Sequence, residues 1–263
     1  VEISNDNSVI FKYSVDAAAS TTSVCETYTV SGSTITPGTA PSGCSALTYS
    51  ASNVADLSNN GYLGLTNSTS PYVKMWRLSG STFNAFTPTF TTTPGSQPNR
   101  IAFSNNAEHL ILSRTMATAY TTVYRRVGET QFTPITAPTG LPVGASIVAF
   151  SKDGKFLAAS SSGTLKLWQY VSPVSFSALS DISTGFTRIG AIAFSPDGNY
   201  MALSSTDTAT GTVSSTVQIY KIDGTTFTAA TITGSYTTGS GAIKAMEFTP
   251  DSAYLVAIKT TAT

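Results

Sequence analysis

The sequence has few of the residues on which most enzymes and nucleic-acid-binding proteins depend. Its 263 residues include one histidine and two cysteines, and only 11% are charged, with a formal net charge of +0. Ordinary soluble domains carry roughly 25% charged residues. Because a DNA- or RNA-binding surface requires a basic field, this balance argues against nucleic acid as a partner. No apolar run approaches the roughly 18 residues of a membrane helix, so we expect no membrane insertion.

The residues needed for common catalytic sites are also missing. A nucleophilic triad requires a serine or cysteine beside a histidine base, and His109 is the single histidine. One histidine cannot build a histidine-rich metal site. The sequence holds no G-x-S-x-G elbow and no glycine-rich phosphate loop. We therefore predict no catalytic residue, no metal ligand and no cofactor.

What the chain has instead is a high content of serine and threonine, roughly 30% of residues, with alternating apolar positions between turn residues. The clearest example is the segment 192–227. It contains an apolar pair, the turn Asp197-Gly198, a second apolar run, and a further strand pair around Asp223-Gly224. Such spacing predicts two antiparallel hairpins, which together form one small four-stranded sheet.

This unit is repeated along the whole chain. The anchor of the repeat is a serine or threonine that follows the first strand, with spacings of 54, 46, 47, 44 and 54 residues. Turn-forming residues follow each anchor, and a second, aromatic anchor lies in the predicted third strand. The first set is Ser4, Ser58, Ser104, Ser151, Ser195 and Thr249, and the second is Tyr28, Trp76, Tyr124, Trp168 and Tyr220. A four-stranded repeat of about 40 to 50 residues predicts an all-β fold made of β-propeller blades.

The repeat motifs also resemble known families. The segments F-S-P-D-G-N-Y-M-A-L-S-S and L-K-L-W resemble the WD40 family and its bacterial relatives, and Ser70–Phe83 is similar to the tandem propeller repeats of bacteriophage structural proteins. The resemblance implies the same fold over essentially the whole chain. However, no Gly-His pair precedes the first strand, and no aspartate follows Trp76 or Trp168. The His-Asp network of eukaryotic WD40 blades is therefore absent, which weakens the transfer of eukaryotic scaffold roles.

The repeats predict a single domain over residues 1–263. It consists of five full repeats and a partial sixth, at about 1–48, 54–98, 101–146, 147–190, 191–245 and 246–263. Five and a half repeats do not close neatly. Either the chain is a fragment or a processed product, or the missing strands come from elsewhere. We expect a fragment of a longer protein whose ring has six or seven blades.

Recognition is predicted in the loops between second and third strands, because their lengths vary while the scaffold is constant. These loops are rich in Thr, Ser and Tyr and would open on one face. An alternative is a surface that the hydroxyl groups merely keep soluble. Asn67 also begins a glycosylation sequon with Ser68 and Thr69. The candidate contact residues are Asn67, Tyr72, Arg114, Tyr120, Thr206 and Asp207.

Two further sets of residues leave alternatives open. In a propeller, Cys25 at the start of a third strand and Cys44 in a blade-to-blade connection would lie on one face. They form either a disulfide of an extracellular protein or two reduced thiols. Glu2, Asp56 and Glu247 share one first-strand position, which we expect to line the central channel, where they could bind a cation. The remaining full repeats carry alanine there, at Ala102, Ala149 and Ala193.

Three hypotheses on function follow. The leading one is a non-enzymatic structural or adhesion module on a virion or another extracellular surface, with protein subunits of an assembly or glycans as partners. A second is a propeller enzyme of the lactonase or hydrolase type with a channel metal. A third is an intracellular scaffold of WD40 type. The fold alone does not choose among them.

Overall fold

The computed structural model describes residues 2–4, 6–15, 23–44, 47, 54–115, 118–205, 216–230 and 243–259. Every regular element in these ranges is a β-strand. Within them, no helix has the length and apolar character that crossing a bilayer would require. The chain groups into two compact units, Val1–Thr136 and Ala137–Thr263. The single domain over 1–263 stays a prediction.

The first unit contains three sheets. The first blade consists of β1 (Glu2–Ile3), β2 (Val9–Val15), β3 (Ser23–Ser31) and β4 (Thr34–Pro37). The second consists of β5 (Ala55–Leu57), β6 (Tyr62–Thr66), β7 (Val73–Ser79) and β8 (Thr82–Phe86). A short strand, β9 (Thr89–Phe90), precedes the third blade, which consists of β10 (Arg100–Phe103), β11 (His109–Arg114), β12 (Tyr120–Val127) and β13 (Gln131–Pro134).

The second unit contains two full blades and a smaller sheet. The fourth blade consists of β14 (Ile147–Phe150), β15 (Phe156–Ser160), β16 (Thr164–Ser172) and β17 (Ser175–Ala178), followed by β18 (Ile182–Ser183). The fifth consists of β19 (Ile189–Phe194), β20 (Tyr200–Ser205), β21 (Val217–Asp223) and β22 (Thr226–Ala230). The last sheet pairs β23 (Ile243–Phe248) with β24 (Leu255–Lys259).

The fold class predicted from the repeats is confirmed. In all five blades the four main strands follow one another in chain order, with each strand antiparallel to the next. The aromatic anchor lies in the third strand of every blade, as predicted. This is the β-propeller blade, repeated five times with a sixth, partial copy.

The anchor serine or threonine closes the first turn of each repeat. In the fourth blade, Ser151 Oγ donates to Asp153 Oδ1 at 2.7 Å and accepts from the backbone N–H of Phe156 at 2.8 Å. Side-chain hydrogen bonds of this kind replace backbone pairing where the strand reverses. The same hydroxyl contact to residue i+2 recurs at Ser4–Asp6, Ser58–Asn60, Ser104–Asn106, Ser195–Asp197 and Thr249–Asp251.

The third residue after each anchor has a positive φ. Glycine occupies it in three repeats, as at Gly154 (φ 76°) and Gly198 (φ 73°). Elsewhere the chain accepts a side chain in this left-handed conformation, at Asn7, Ala107 and Ser252. Because a Cβ atom disfavours the left-handed region, those turns are held at a cost by the hydrogen bonds around them.

The core lies between blades. Trp76 and Leu63 of the second blade pack with Phe11 of the first, and all three are at most 1% exposed. One connection adds a strand of its own, because β9 pairs in parallel with β13 and Phe90 stacks on Phe132 at 5.4 Å between ring centroids. Strand β9 therefore extends the outer edge of the next sheet.

Candidate functional site

The loops between second and third strands define what we call the loop face. In the second blade, the Asn67 side chain holds this loop in shape. This side chain is 3% exposed, and its Nδ2 donates to the carbonyl oxygens of Thr69 at 2.8 Å and Pro71 at 3.3 Å. The loop backbone is closed by the Asn67 N–H, which donates to the Tyr72 carbonyl at 2.8 Å. Asn67 therefore shapes the loop from inside, and its buried amide is poorly placed for glycosylation. Tyr72 is half-buried at the base of the same loop.

The predicted loop between Arg114 and Thr122 is shorter than expected. Arg114 ends β11 and Tyr120 begins β12, and the two are paired in register. The prediction that these residues lie in the loop is wrong, because the aromatic and β-branched run Tyr120–Val123 continues the strand to its paired end.

Both side chains hold the connection from the second to the third blade. Tyr120 Oη donates to the Ser96 carbonyl at 2.9 Å, and Arg114 Nη1 donates to the Gln97 carbonyl at 2.7 Å. Tyr124 Oη reaches the Thr92 carbonyl of the same connection at 3.2 Å. Burial raises the pKa of the Tyr120 hydroxyl well above its usual value, so this donor keeps its proton at any physiological pH.

The outer surface of this face consists of small hydroxyl side chains. Thr118 is exposed, and its Oγ1 lies 3.2 Å from Ser96 Oγ; Thr115 Oγ1 accepts from Asn99 Nδ2 at 2.7 Å. In the described part of the third-blade loop, the exposed side chains are uncharged and rich in hydroxyl groups, and Arg114 and Tyr120 fix the loop from below. Two other predicted contact residues, Thr206 and Asp207, lie outside the described residues.

The shortest loop, in the fourth blade, is packed against its own connection to the fifth. Thr184 Oγ1 donates to the Gly163 carbonyl at 2.6 Å, and the Ile189 N–H donates to the Ser162 carbonyl at 3.2 Å. A Cβ atom on Gly163 would lie 1.5 Å from the Phe186 carbonyl oxygen. Glycine is therefore required here because two backbone segments approach each other closely.

Two of the three acids proposed for a channel cation, Asp56 and Glu247, make contacts between blades. Asp56 Oδ2 accepts a hydrogen bond from the backbone N–H of Phe103, in the next blade, at 2.5 Å. Glu247 Oε1 lies 3.2 Å from Lys152 Nζ. Among the described residues, no group of three or more His, Cys, Asp and Glu side chains could hold a metal ion. His109 begins β11 and is 1% exposed.

The two cysteines form a disulfide with a Cα–Cα distance of 6.0 Å. The bond joins β3 to the connection that leads into the second blade, and it is buried beside Trp76. Trp76 Nε1 donates to the Ser42 carbonyl at 2.9 Å, two residues before Cys44. The disulfide and the tryptophan thus fix one blade-to-blade connection from both sides.

A cationic cluster that the sequence analysis did not identify surrounds Tyr62. The guanidinium carbon atoms of Arg77 and Arg126 lie 4.3 and 4.6 Å from the centre of the Tyr62 ring. Tyr62 Oη donates to Glu129 Oε2 at 2.6 Å, and this hydrogen bond lowers the pKa of Glu129. No motif marks this cluster, since its members come from three separate strands and one turn. The packing of both guanidinium groups on the Tyr62 ring indicates a structural role.

A family model matches one part of the chain. Residues 143–169 match the family described as "WD domain, G-beta repeat". They hold the first two strands of the fourth blade, most of the third, and Trp168. The blades of this protein are therefore WD40-like. No curated protein sequence matches the chain.

Solved structures share the fold at low identity. A protein of unknown function from Desulfotomaculum acetoxidans has 11% identity and a TM-score of 0.59, and the match covers 87% of this chain and 69% of that one. A "putative 6-phosphogluconolactonase" from Bacteroides uniformis has 16% identity and a TM-score of 0.62, with 97% and 76% covered. A second protein so described, from Bacteroides fragilis, has 14% identity and a TM-score of 0.57, with 97% and 75% covered. Identities this low show the fold alone.

Proposed function

We propose that this WD40-like propeller is a non-enzymatic interaction module that binds protein surfaces or glycans through its loop face. The proposal rests on what the side chains of that face bind. Asn67, Arg114 and Tyr120 bind loop carbonyls instead of converging on a reaction centre. Rigid loops with small hydroxyl groups at the surface lose little entropy on binding an uncharged partner.

The disulfide favours an extracellular location. A buried disulfide that stabilises a blade-to-blade connection persists in an oxidising compartment and is rare in the cytosol. This supports the extracellular module over the intracellular scaffold. The virion is the finer version of the proposal, and it rests on the phage-type resemblance of Ser70–Phe83.

The test is binding of the purified protein to arrays of glycans and extracellular proteins. The variant Thr118→Glu places a charge on the exposed loop of the third blade, and Thr82→Glu places the same charge at the exposed start of β8, at the other end of the second blade. We expect Thr118→Glu to abolish a binding signal that Thr82→Glu leaves intact. Equal signals from both variants would contradict the proposal.

Lactone hydrolysis is the second candidate, because two structural neighbours carry the 6-phosphogluconolactonase name. The single histidine is buried in a strand, and Asp56 already binds the backbone of the next blade. We therefore expect no acceleration of 6-phosphogluconolactone hydrolysis above the spontaneous rate. A saturable, enzyme-dependent rate would replace the binding proposal with this one.

A further inference from the structure

A group of four side chains, which we call the Tyr62 cluster, lies at the opposite end of the second blade from its loop face. It consists of Tyr62, Arg77, Arg126 and Glu129. Tyr62 begins β6, whereas the loop that Asn67 shapes follows the end of that strand. All four residues belong to the first compact unit. The cluster is therefore separate from the surface on which the proposed function rests.

The Tyr62 ring attracts the charge of both arginines but does not satisfy their hydrogen-bond donors. The two guanidinium groups are half-buried, and their carbon atoms lie 4.3 and 4.6 Å from the ring centre. Such contacts favour a cation over the face of a ring. A guanidinium group also carries five N–H donors, which require oxygen acceptors where they are buried. Packing on the ring therefore explains the position of the arginines but not the fate of their donors.

The two arginines differ in the acceptors that their donors find. Arg126 Nε donates to the Ala107 carbonyl at 2.9 Å. Its Nη1 donates to the Gly128 carbonyl and, at 3.1 Å, to Tyr62 Oη. In contrast, Arg77 Nη1 is buried and has no acceptor among the described residues. Since a buried charged donor without an acceptor is destabilising, an oxygen atom that reached Arg77 would gain a strong hydrogen bond.

Glu129 shows which chemical group fits the cluster. Its Oε2 accepts from Tyr62 Oη at 2.6 Å. This hydrogen bond lowers the pKa of Glu129, and the positive charges of Arg126 and Arg77 lower it further. Glu129 is exposed and lies in the turn between β12 and β13. The cluster thus holds a carboxylate on a side chain that can turn away without moving a strand.

Glu129 leaves part of the binding capacity of the cluster unused. Its carboxylate satisfies Tyr62 Oη, but Arg77 Nη1 still lacks an acceptor among the residues that the structure describes. Two arginines with one glutamate also give the cluster a net positive charge. An arginine binds a carboxylate through two parallel N–H bonds, because its planar fork matches the two oxygens. A carboxylate that is not tied to the β12–β13 turn can therefore contact Tyr62 and Arg77 together.

We propose that the Tyr62 cluster binds an acidic side chain of a partner protein, whose carboxylate takes the place of Glu129. This carboxylate accepts the hydrogen bond of Tyr62 Oη and two N–H bonds from Arg77, while Arg126 contributes its charge. The partner presents its glutamate or aspartate on an exposed turn, as this chain presents Glu129 between β12 and β13. Without the partner, the Glu129 carboxylate occupies the site, and its withdrawal opens access to Arg77.

The test uses N-acetylglutamate amide as a probe, with N-acetylglutamine amide as the uncharged control and glucuronate as an acidic sugar. Each is titrated into the isotope-labelled whole protein at neutral pH and constant ionic strength, and the backbone amide signals of Gly128 and Thr130 are followed by NMR. Glu129→Ala removes the competing carboxylate. In that background, Arg77→Lys keeps a positive charge but loses the planar fork. Arg188→Lys is the matched control, since Arg188 is exposed between the fourth and fifth blades.

We expect Glu129→Ala to bind N-acetylglutamate amide at least about threefold more tightly than the wild type, because the site is no longer occupied. Adding Arg77→Lys should weaken this binding at least about tenfold, and adding Arg188→Lys should leave it unchanged. Equal urea midpoints for the two lysine variants show that both fold. Three results would overturn the proposal: no binding by Glu129→Ala, equal binding after Arg77→Lys, or a preference for glucuronate or N-acetylglutamine amide over the glutamate probe.

Discussion

The Trp76 indole N–H donates to the Ser42 carbonyl across 34 residues of sequence, at 2.9 Å. Trp168 makes the same bond to the Thr139 carbonyl at 2.9 Å. In both cases a tryptophan of the third strand fixes the connection that enters its own blade. These bonds hold the blade-to-blade connections in a chain that lacks the His-Asp network of eukaryotic WD40 blades.

Replacing Trp76 with phenylalanine should destabilise the protein by about 1–3 kcal/mol, because the Ser42 carbonyl loses its donor and the smaller ring leaves a gap in a buried cluster. Urea unfolding measures the change. Tyr254→Phe is the control, since that ring is 71% exposed and should cost less than about 0.5 kcal/mol. Equal losses in both variants would show that the hydrogen bond contributes nothing.

The disulfide should contribute about 3 kcal/mol, because its 19-residue sequence separation limits the entropy of the unfolded chain. We expect Cys25→Ser/Cys44→Ser to lower the urea midpoint by the corresponding amount. Adding a reductant should destabilise the wild type and leave the double variant unchanged. A wild type that is insensitive to full reduction, with free thiols demonstrated, would contradict this role.

Gly163→Ala should be the most damaging alanine substitution in the loops. The new Cβ atom would lie 1.5 Å from the Phe186 carbonyl oxygen, so the backbone has to move. We expect a loss of at least about 3 kcal/mol in thermal or urea unfolding. Gly95→Ala is the matched control, because nothing lies within 4 Å of the position that its new Cβ atom would take, and it should be neutral or stabilising.

Ala107→Gly should stabilise the protein by about 1 kcal/mol. Ala107 has φ 51° at the turn position where other repeats place glycine, so the substitution removes the strain of a Cβ atom in the left-handed region. Loss of a buried methyl group and the greater freedom of the unfolded chain reduce the gain. The reverse change, Gly154→Ala, should destabilise, and thermal unfolding of both variants gives the sign directly.

The turn aspartates should make the stability of the protein depend on pH in the acid range. Hydrogen bonds from the hydroxyl groups of Ser4 and Ser8 lower the pKa of Asp6 from 3.8 to about 2. Burial alone would raise the pKa of Asp153, but bonds from Lys155 and Ser151 outweigh it and the pKa falls. Since the folded state binds these protons less tightly than the unfolded state, the stabilisation is complete above pH 3.8 and disappears as the pH falls toward about 2.

Asp153→Asn tests this dependence, because the equivalent turns already use Asn60 and Asn106. We expect near-normal stability at pH 7 and a shallower loss of stability than in the wild type as the pH falls below 3.8. The urea midpoint is measured across this range. A slope as steep as that of the wild type would mean that Asp153 does not contribute to the acid transition.

The blades could be predicted from the sequence because their signals are local. Turn residues after Ser195 and alternation before Tyr220 both lie within a few positions of the feature that they predict. The predicted ends of the loops were less accurate. Arg114 and Tyr120 belong to strands because they pair with each other, and the residue pattern does not show this pairing. The bond from Trp76 to Ser42 depends on three-dimensional packing, and no sequence spacing specifies it.

The candidate site, like the fold, could be predicted from the sequence only in part. Variable loop length predicts which loops bind a partner, and this stays a prediction, but it does not predict the direction of the loop side chains. Asn67 was predicted as a contact residue and proved to be buried beneath its loop. Asp56 was considered as a cation ligand, and its carboxylate accepts a hydrogen bond from the backbone of the next blade. Both outcomes depend on which neighbour lies within hydrogen-bonding distance, which the repeat pattern does not encode.

The central claim is that the loop face binds a partner without catalysis. The most direct measurement is array binding by the wild type, Thr118→Glu and Thr82→Glu, with 6-phosphogluconolactone hydrolysis assayed on the same preparations. We predict a signal that only Thr118→Glu removes, together with hydrolysis at the spontaneous rate. Binding unaffected by Thr118→Glu, or turnover above the spontaneous rate, would contradict the account.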